Sequence, residues 1–175
     1  MMRLFLAINL SRTMKDALTA AQNTMYNLGV RGNYTPEENL HLTLAFIGDY
    51  PEPETVMDAL SSVSFFPIPI TLEGIGAFGD LWWAGLRETP ALTAVVRRVR
   101  RVLAENGIPF DRKRFSPHIT LLRRAKGEMP GITIEPCSMM VDAISLIRSE
   151  RGKNGMIYTE LGTITRTSGR RHKAK

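Results

Sequence analysis

Apolar residues recur along the chain in short runs typical of strands, and three segments between these runs carry helix signals. Ser11 is a suitable N-cap for a helix over 11–28, and Pro53 fits the first turn of a helix over about 53–63. A third helix is predicted over about 90–105, where apolar residues recur at helical spacing: Leu92, Val95, Val96, Val99 and Leu103. The predicted strands cover residues 2–9, 41–47, 70–78, 81–86, 118–123, about 140–148, and 156–164.

Turn-forming residues connect several of these strands into hairpins. Gly79-Asp80 separates the strand 70–78 from the next one, and the turn-rich segment 150–155 joins the last two strands. Hairpins mixed with a few helices favour an α+β fold with largely antiparallel sheets. Because no low-complexity linker divides the chain, residues 1–165 are predicted to form a single domain, followed by a basic, flexible tail over 166–175.

The pattern His-x-Thr occurs twice, each time at the start of an apolar strand: His41-Leu42-Thr43 and His118-Ile119-Thr120. Successive side chains of a strand point to opposite faces. The histidine and threonine of each motif are therefore expected on one face, with Leu42, Leu44 and Phe46 opposite His41. A group that gains or loses a proton near neutral pH would then lie on the face that the core does not use.

The two motifs are separated by 118 − 41 = 77 residues, so only the tertiary fold can bring their rings together. A strand, a helix and a histidine strand occupy the first third of the chain, and a similar series occupies the middle. This repetition predicts approximate two-fold symmetry, with the histidines on opposite walls of one cleft. The alternative is two unrelated histidines hydrogen-bonded at sheet edges, since three-letter patterns also arise by chance.

Arg123 follows the second motif at a position that strict alternation would bury. A buried guanidinium without a partner is costly. We therefore predict that the strand ends or bulges at this point, which lets Arg123 reach the rim of the cleft.

Basic residues are concentrated in a few places. The net charge is +6, and the tail contributes five of these charges, which leaves 6 − 5 = +1 for residues 1–165. The tail is interpreted as a solvated end that adds salt-dependent affinity for polyphosphates. Arg97, Arg98, Arg100 and Arg101 fit the solvent-facing side of the third helix, whereas Arg112, Lys113 and Arg114 could edge a pocket that receives phosphate.

The sequence carries no sign of membrane insertion or of a metal site. No apolar run approaches the roughly 20 residues that cross a bilayer. With Cys137 as the single cysteine, no intramolecular disulfide can form, which agrees with a cytoplasmic location. No cluster of ligands suited to a metal accompanies either histidine, so neither a metal nor another cofactor is predicted.

Two histidines and two threonines suit in-line displacement at a phosphodiester. One neutral imidazole takes a proton from the nucleophile, while the other, protonated, supplies one to the departing oxygen. The hydroxyls donate hydrogen bonds to oxygens on which negative charge grows. The entering and leaving oxygens lie on opposite sides of phosphorus, which matches a site with one histidine on each wall.

The segments HLTLAFIGD and FSPHITLLR, together with the opening RLFLAINL, resemble the two-histidine phosphoesterase superfamily. The resemblance is strongest to its RNA 2',3'-cyclic phosphodiesterase branch, also known as the 2'-5' RNA ligase family, and extends over nearly all of residues 2–164. It implies a bilobal fold with pseudo-two-fold symmetry, two largely antiparallel sheets with flanking helices, and a central cleft. It also implies metal-independent hydrolysis of a terminal 2',3'-cyclic phosphate to a 2'-phosphate.

Site roles follow from the same resemblance, position by position. His41 resembles the proton donor to the leaving 3'-oxygen, and His118 resembles the base that activates water. Thr43 and Thr120 resemble the hydroxyls that bind the phosphate, and Arg123 matches a basic position common after the second motif. The expected partners are RNA with a 2',3'-cyclic phosphate end or small cyclic nucleotides, with no membrane and no obligatory protein partner.

Two hypotheses of different class remain from the sequence. The first is the hydrolase, for which 2'-5' ligation is the reverse reaction. The second is a nucleotide or RNA-end binding module with little catalysis, although binding alone would tolerate loss of either histidine. Six aromatic residues are candidates either to stack on a base or to fill the core: Tyr34, Phe78, Trp82, Trp83, Phe115 and Tyr158.

Overall fold

The computed structural model describes residues 2–167 and contains two antiparallel sheets and three helices within that range. The helices are α1 (Arg12–Asn27), α2 (Pro53–Leu60) and α3 (Pro90–Glu105). The strands are β1 (Met2–Asn9), β2 (Arg31–Tyr34), β3 (His41–Tyr50), β4 (Ile68–Phe78), β5 (Leu81–Leu86), β6 (His118–Lys126), β7 (Ser138–Val141), β8 (Ala143–Gly152) and β9 (Gly155–Thr165). The prediction of an α+β fold with antiparallel sheets is confirmed.

The strand order reveals the two-fold relation between the sheets. One sheet has the order β3-β1-β8-β9, and the other has the order β2-β6-β5-β4-β7. In each half, a strand leads through a helix to the histidine strand, and the two strands are neighbours in the sheet. The series is β1-α1-β3 in one half, with β2 between α1 and β3 in the chain, and β5-α3-β6 in the other. Both of these helices contain 16 residues. The repetition predicted from the sequence therefore corresponds to structural pseudo-symmetry.

Local sequence explains where the helices begin. Ser11 caps α1, because its Oγ accepts a hydrogen bond from the Met14 N–H at 3.2 Å. Thr89 caps α3 in the same way, accepting from the Leu92 N–H at 3.2 Å, with Pro90 in the first turn. The predicted apolar stripe of α3 is buried, whereas α2 ends at Leu60 instead of continuing to residue 63.

One strand prediction was wrong, and one strand was missed. The single strand predicted over about 140–148 is two strands in different sheets, since β7 pairs with β4 while β8 pairs with β1 and β9. Asp142 lies between them. The short strand β2 was not predicted because its sequence, RGNY, has no apolar alternation, and only pairing with β6 makes it a strand.

The core lies between the sheets and the helices and holds nearly all the buried apolar side chains in one cluster. The smaller second cluster consists of Phe5, Ala7 and Ile147, with Phe46 and Tyr158 packed against it. No helix within residues 2–167 is long and apolar enough to cross a membrane.

The start of the predicted tail is held by backbone hydrogen bonds. The Arg166 N–H donates to the Asp142 carbonyl at 2.7 Å, and the Thr167 N–H donates to the Phe65 carbonyl at 2.7 Å. The rest of the predicted tail, residues 168–175, lies outside the described residues.

Candidate functional site

The two histidines occupy the same position in the two halves of the molecule. His41 is the first residue of β3, and His118 is the first residue of β6. Each Nδ1 lies 2.7 Å from the carbonyl oxygen two residues earlier, that of Asn39 for His41 and that of Ser116 for His118. A carbonyl oxygen only accepts, so Nδ1 must carry the proton in both rings. Nε2 is therefore the nitrogen of each ring that can gain or lose a proton.

The threonines share the faces of their histidines, as the alternation predicts. Thr43 Oγ1 lies 2.9 Å from His41 Nε2, so the hydroxyl donates to the neutral ring and accepts from the protonated one. No corresponding hydrogen bond joins Thr120 to His118 within the part of the chain that the structure describes. Leu42 and Ile119, between the motif residues, are fully buried.

Both motif strands bulge at the third residue after the histidine. In β3, Leu44 is inserted between the residues paired with Leu6 and Ala7, and it is buried together with Ala45. In β6, Leu121 is inserted between the residues paired with Trp82 and Trp83 and is buried together with its neighbour Leu122. A bulge reverses the alternation of the residues that follow it.

The bulges return the fifth residue after each histidine to the histidine face. Arg123 is exposed even though β6 continues to Lys126, so the predicted bulge is confirmed and an early end of the strand is not. The prediction that Phe46 points away from His41 was wrong, because Phe46 packs with Phe5 in the second apolar cluster. The Arg3 guanidinium lies 5.0 Å from the centre of the Phe46 ring.

A helix side chain from the other half of the molecule holds each bulge. Arg100 on α3 donates from Nε and from one terminal guanidinium nitrogen to the Leu44 carbonyl, at 3.3 Å each. Buried Gln22 on α1 donates from Nε2 to the Leu121 carbonyl at 2.8 Å. The sequence analysis missed both roles, because nothing in a local pattern shows which carbonyl a long polar side chain will reach.

Charged groups from other parts of the chain, including the second motif, influence the pKa of His41. Burial lowers the pKa of His41 below its ordinary value, and the hydrogen bond to the Asn39 carbonyl opposes that effect by stabilising the protonated ring. Repulsion from the positive charge of Arg123, from His118 when that ring is protonated, and from Lys15 lowers the pKa further, in that order. Groups from β6 and α1 thus act on a ring of β3, and the sequence analysis did not anticipate Lys15.

Replacing Arg123 with glutamine is expected to raise the pKa of His41, because the variant removes a positive charge that disfavours the imidazolium. NMR titration of the two imidazoles measures the shift directly. Arg124→Gln is the matched control, since this neighbouring arginine is exposed and is not among the groups that lower the pKa of His41. An equal shift in both variants would point to net charge rather than to the position of Arg123.

Aromatic side chains flank both histidines. Phe5 and Tyr158 lie 4.8 Å and 5.3 Å from His41, ring centre to ring centre, and the Tyr158 ring meets the imidazole edge-on. Phe78 lies edge-on to His118 at 5.2 Å, and Trp83 lies 6.2 Å from it. Phe78 is 49% exposed, so it does not fill the core, whereas Trp82 is buried within it. Tyr34 and Phe115 pack partly buried against the core.

A small pocket of about 130 Å³ lies beside His41, lined by Phe5, Asn9, Glu38, Asn39, Leu40, His41, Ile147, Tyr158 and Glu160. Its polar side is a hydrogen-bonded network. Glu160 Oε1 accepts from Asn9 Nδ2 at 3.0 Å and from the buried Ser145 hydroxyl at 2.8 Å. These groups are supplied by β1, β8 and β9, whose patterns alone gave no indication that they meet.

Within residues 2–167, no three His, Cys, Asp or Glu side chains are grouped so that they could hold a metal ion. The ionisable groups acting on His41 are cationic instead. The chemistry available from these residues is proton transfer at two Nε2 atoms, hydrogen bonding by two hydroxyls, and attraction of an anion by Arg123 and Lys15.

Comparison with known proteins gives consistent matches over most of the chain. A Thermus thermophilus protein named RNA 2',3'-cyclic phosphodiesterase is 33% identical over 183 residues, covering 91% of this chain and 88% of that protein. A Geobacillus stearothermophilus protein of the same name is 31% identical over 135 residues, covering 72% of this chain. The match spans 43% of that relative, less than half of its length.

Solved structures share the fold. The crystal structure of Escherichia coli LigT in its apo form matches with a TM-score of 0.84 and 26% identity, covering 95% of this chain and 98% of that one. Its complex with 3'-AMP matches with a TM-score of 0.80. The model of the 2'-5' RNA ligase superfamily matches residues 30–153, a segment that contains both His-x-Thr motifs. Because this match extends over more than half of the chain, the chain belongs to the 2'-5' RNA ligase superfamily.

Proposed function

We propose that the protein is an RNA 2',3'-cyclic phosphodiesterase, which hydrolyses a terminal 2',3'-cyclic phosphate to a 2'-phosphate without a metal. The observation that carries the proposal is the paired geometry of His41 and His118, in which the same carbonyl hydrogen bond holds Nδ1 of each ring and leaves Nε2 as the nitrogen that exchanges a proton. Relatives named RNA 2',3'-cyclic phosphodiesterase support the same activity.

In the proposed reaction, His118 Nε2 takes a proton from water as the water oxygen attacks phosphorus. The bond from phosphorus to the 3'-oxygen breaks, and His41 Nε2 delivers a proton to that oxygen. The products are a free 3'-hydroxyl and a 2'-phosphate. Thr43 and Thr120 donate hydrogen bonds to the non-bridging oxygens, and Arg123 offsets their negative charge.

The lowered pKa of His41 is compatible with its role as the acid once substrate is bound. In the free protein, burial and the positive charges of Arg123 and Lys15 favour the neutral ring. A cyclic phosphate carries one negative charge, and placing it between these groups opposes their effect. We therefore infer that the substrate anion raises the pKa of His41 and so protonates the group that must donate to the leaving oxygen.

The binding-module alternative predicts a pocket without proton transfer. Nε2 of His41 lies 2.9 Å from the Thr43 hydroxyl, a hydrogen bond that is compatible with both the neutral and the protonated ring. The same residues allow 2'-5' ligation, since a 2'-5' linkage forms when a terminal hydroxyl opens the cyclic phosphate in place of water. We infer that the substrates are RNA ends or small cyclic nucleotides and that the protein acts in the cytoplasm.

The direct test offers purified protein a short RNA that ends in a 2',3'-cyclic phosphate, with EDTA present throughout. The expected product carries its phosphate on the 2'-oxygen, because His41 protonates the 3'-oxygen as it leaves. ³¹P NMR of the product identifies the position of the phosphate. A 3'-phosphate product would contradict the assigned leaving group, and loss of turnover in EDTA would contradict a metal-free mechanism. Saturable binding with no product would favour the binding module.

A further inference from the structure

A second concave surface lies between α3 and the segment that leads from α3 to β6. It encloses about 630 Å³ and is lined by Glu88, Thr93, Val96, Arg97, Arg100, Arg101, Ala104, Phe110, Arg112, Arg114 and Phe115. We call this surface the arginine groove. Five of its residues are arginines and one is acidic, although residues 1–165 together carry a net charge of only +1. The groove is therefore a local concentration of positive charge on a nearly neutral domain.

The arginines of the groove differ in how far the protein itself uses them. Arg100 is structural, because it donates to the Leu44 carbonyl and, at 2.7 Å, to the Lys113 carbonyl. Arg97, Arg101 and Arg112 are exposed and form no ion pair with any residue in the range 2–167. Arg114 approaches Glu88 only at 3.9 Å. Three cations thus face one groove without compensating acids.

Aromatic rings accompany these cations. The Arg112 guanidinium lies 4.6 Å from the centre of the Phe110 ring, and Arg100 lies 5.8 Å from Phe110 and 5.9 Å from Phe115. Guanidinium groups bind phosphate through a fork of N–H donors and also stack on planar groups. Cationic grooves that carry aromatic rings are typical of surfaces that bind single-stranded nucleic acid.

Hydrogen bonds and neighbouring residues link the groove to both histidine segments. Arg100 on its floor is bonded to the residue after Thr43, and Phe115 precedes Ser116, whose carbonyl orients His118. The Asp111 N–H donates to the Phe46 carbonyl at 2.8 Å, which fixes the wall of the groove along the outer edge of β3. The residues of the groove are therefore tied to the segments that carry both histidines.

We propose that the arginine groove binds the single-stranded RNA on the 5' side of the cyclic phosphate, with Arg97, Arg101 and Arg112 on backbone phosphates. The proposal rests on the function proposed above and adds a binding site for a longer substrate. It adds a binding role to Arg97 and Arg101, which are exposed as the interpretation of α3 as a helix with a solvent-facing side predicts. Arg98 keeps that interpretation, since it lies outside the groove and donates to the Ser64 carbonyl.

The test compares the double variant Arg97→Gln/Arg101→Gln with Arg98→Gln. Single strands lose about 0.7 units of slope in log K against log salt for each phosphate contact removed. Two lost contacts are therefore expected to reduce the slope by about 1.4 and, at 0.1 M salt, to weaken binding roughly 25-fold. Binding is measured with a short single-stranded RNA that ends in a 2'-phosphate, which is not turned over.

Turnover of 2',3'-cyclic AMP separates this site from the catalytic centre. The double variant is expected to hydrolyse this mononucleotide at the rate of the wild type, because a mononucleotide does not reach the groove. Arg98→Gln is expected to bind the RNA as the wild type does. Unchanged RNA affinity and salt slope in the double variant would overturn the proposal, and so would an equal loss of affinity in Arg98→Gln. Binding of polyglutamate by the wild type as tightly as the RNA would also overturn it. If neither the wild type nor the variants hydrolyse either substrate but RNA binding still depends on Arg97 and Arg101, the proposed function is wrong and the RNA-binding role of the groove stands.

Discussion

Replacing His118 with alanine is expected to lower the turnover of RNA 2',3'-cyclic phosphate by a factor of about 10² to 10⁴, the usual contribution of a general base. His41→Ala is expected to cost a similar factor, because the leaving 3'-oxygen then departs without a proton. The turnover number is measured with saturating substrate, so that a change in affinity does not enter the comparison.

The fold is expected to survive both substitutions. Each imidazole makes its Nδ1 hydrogen bond to a carbonyl in its own segment, two residues earlier, and neither histidine is fully buried. Circular dichroism and the melting temperature check this point. A histidine variant that turns over at the wild-type rate would remove that residue from the mechanism. A variant that loses activity together with its fold would leave its catalytic role to be measured with His→Gln instead.

Leu42→Ala is expected to reduce the free energy of unfolding by about 2 to 5 kcal/mol, the range measured for large-to-small changes in cores. Leu42 is fully buried, whereas its neighbours His41 and Thr43 are on the opposite face of β3. The same variant is expected to keep most of its turnover number while folded. Urea denaturation measures the first quantity, and assays well below the melting temperature measure the second.

Thr43→Val is the matched control for Leu42→Ala. It preserves the shape of the side chain but removes the hydroxyl that is hydrogen-bonded to His41 Nε2. Turnover is expected to fall about 10²-fold if the hydroxyl stabilises charge on the phosphate, while the free energy of unfolding changes by less than about 1 kcal/mol. If Leu42→Ala impaired catalysis as strongly as Thr43→Val, the separation of a stabilising face from a reactive face would be wrong.

Much of the candidate site follows from the sequence because strand alternation is local. The pairing of His with Thr on one face and the burial of Leu42 and Ile119 both depend on the direction of successive side chains. The bulge after the second motif was also predictable, since Arg123 would otherwise be buried without a partner. The same argument does not work for Phe46, because an aromatic ring is tolerated on either face of a strand. Phe46 lies on the same face as His41 because of the bulge at Leu44, and the sequence does not show that bulge.

Other features depend on residues far apart in the sequence. Gln22 on α1 reaches the Leu121 carbonyl across 99 positions, and Arg100 on α3 reaches Leu44 across 56. The division of residues 138–152 between two sheets likewise follows from the partners that β7 and β8 find. No spacing rule predicts such contacts, because loop closure over these distances is decided by the packing of the whole domain.

By itself, the sequence determined the helix caps, the antiparallel α+β character and the two His-x-Thr faces, because propensity, capping and alternation act over a few neighbouring residues. Only the tertiary structure decided that Arg123, His118 and Lys15 act on His41, that aromatic rings flank both imidazoles, and that the α3 arginines converge on one groove with Phe110 and Phe115. Electrostatic and stacking interactions depend on distances of a few ångströms. Those distances are set by the joining of the two halves of the chain.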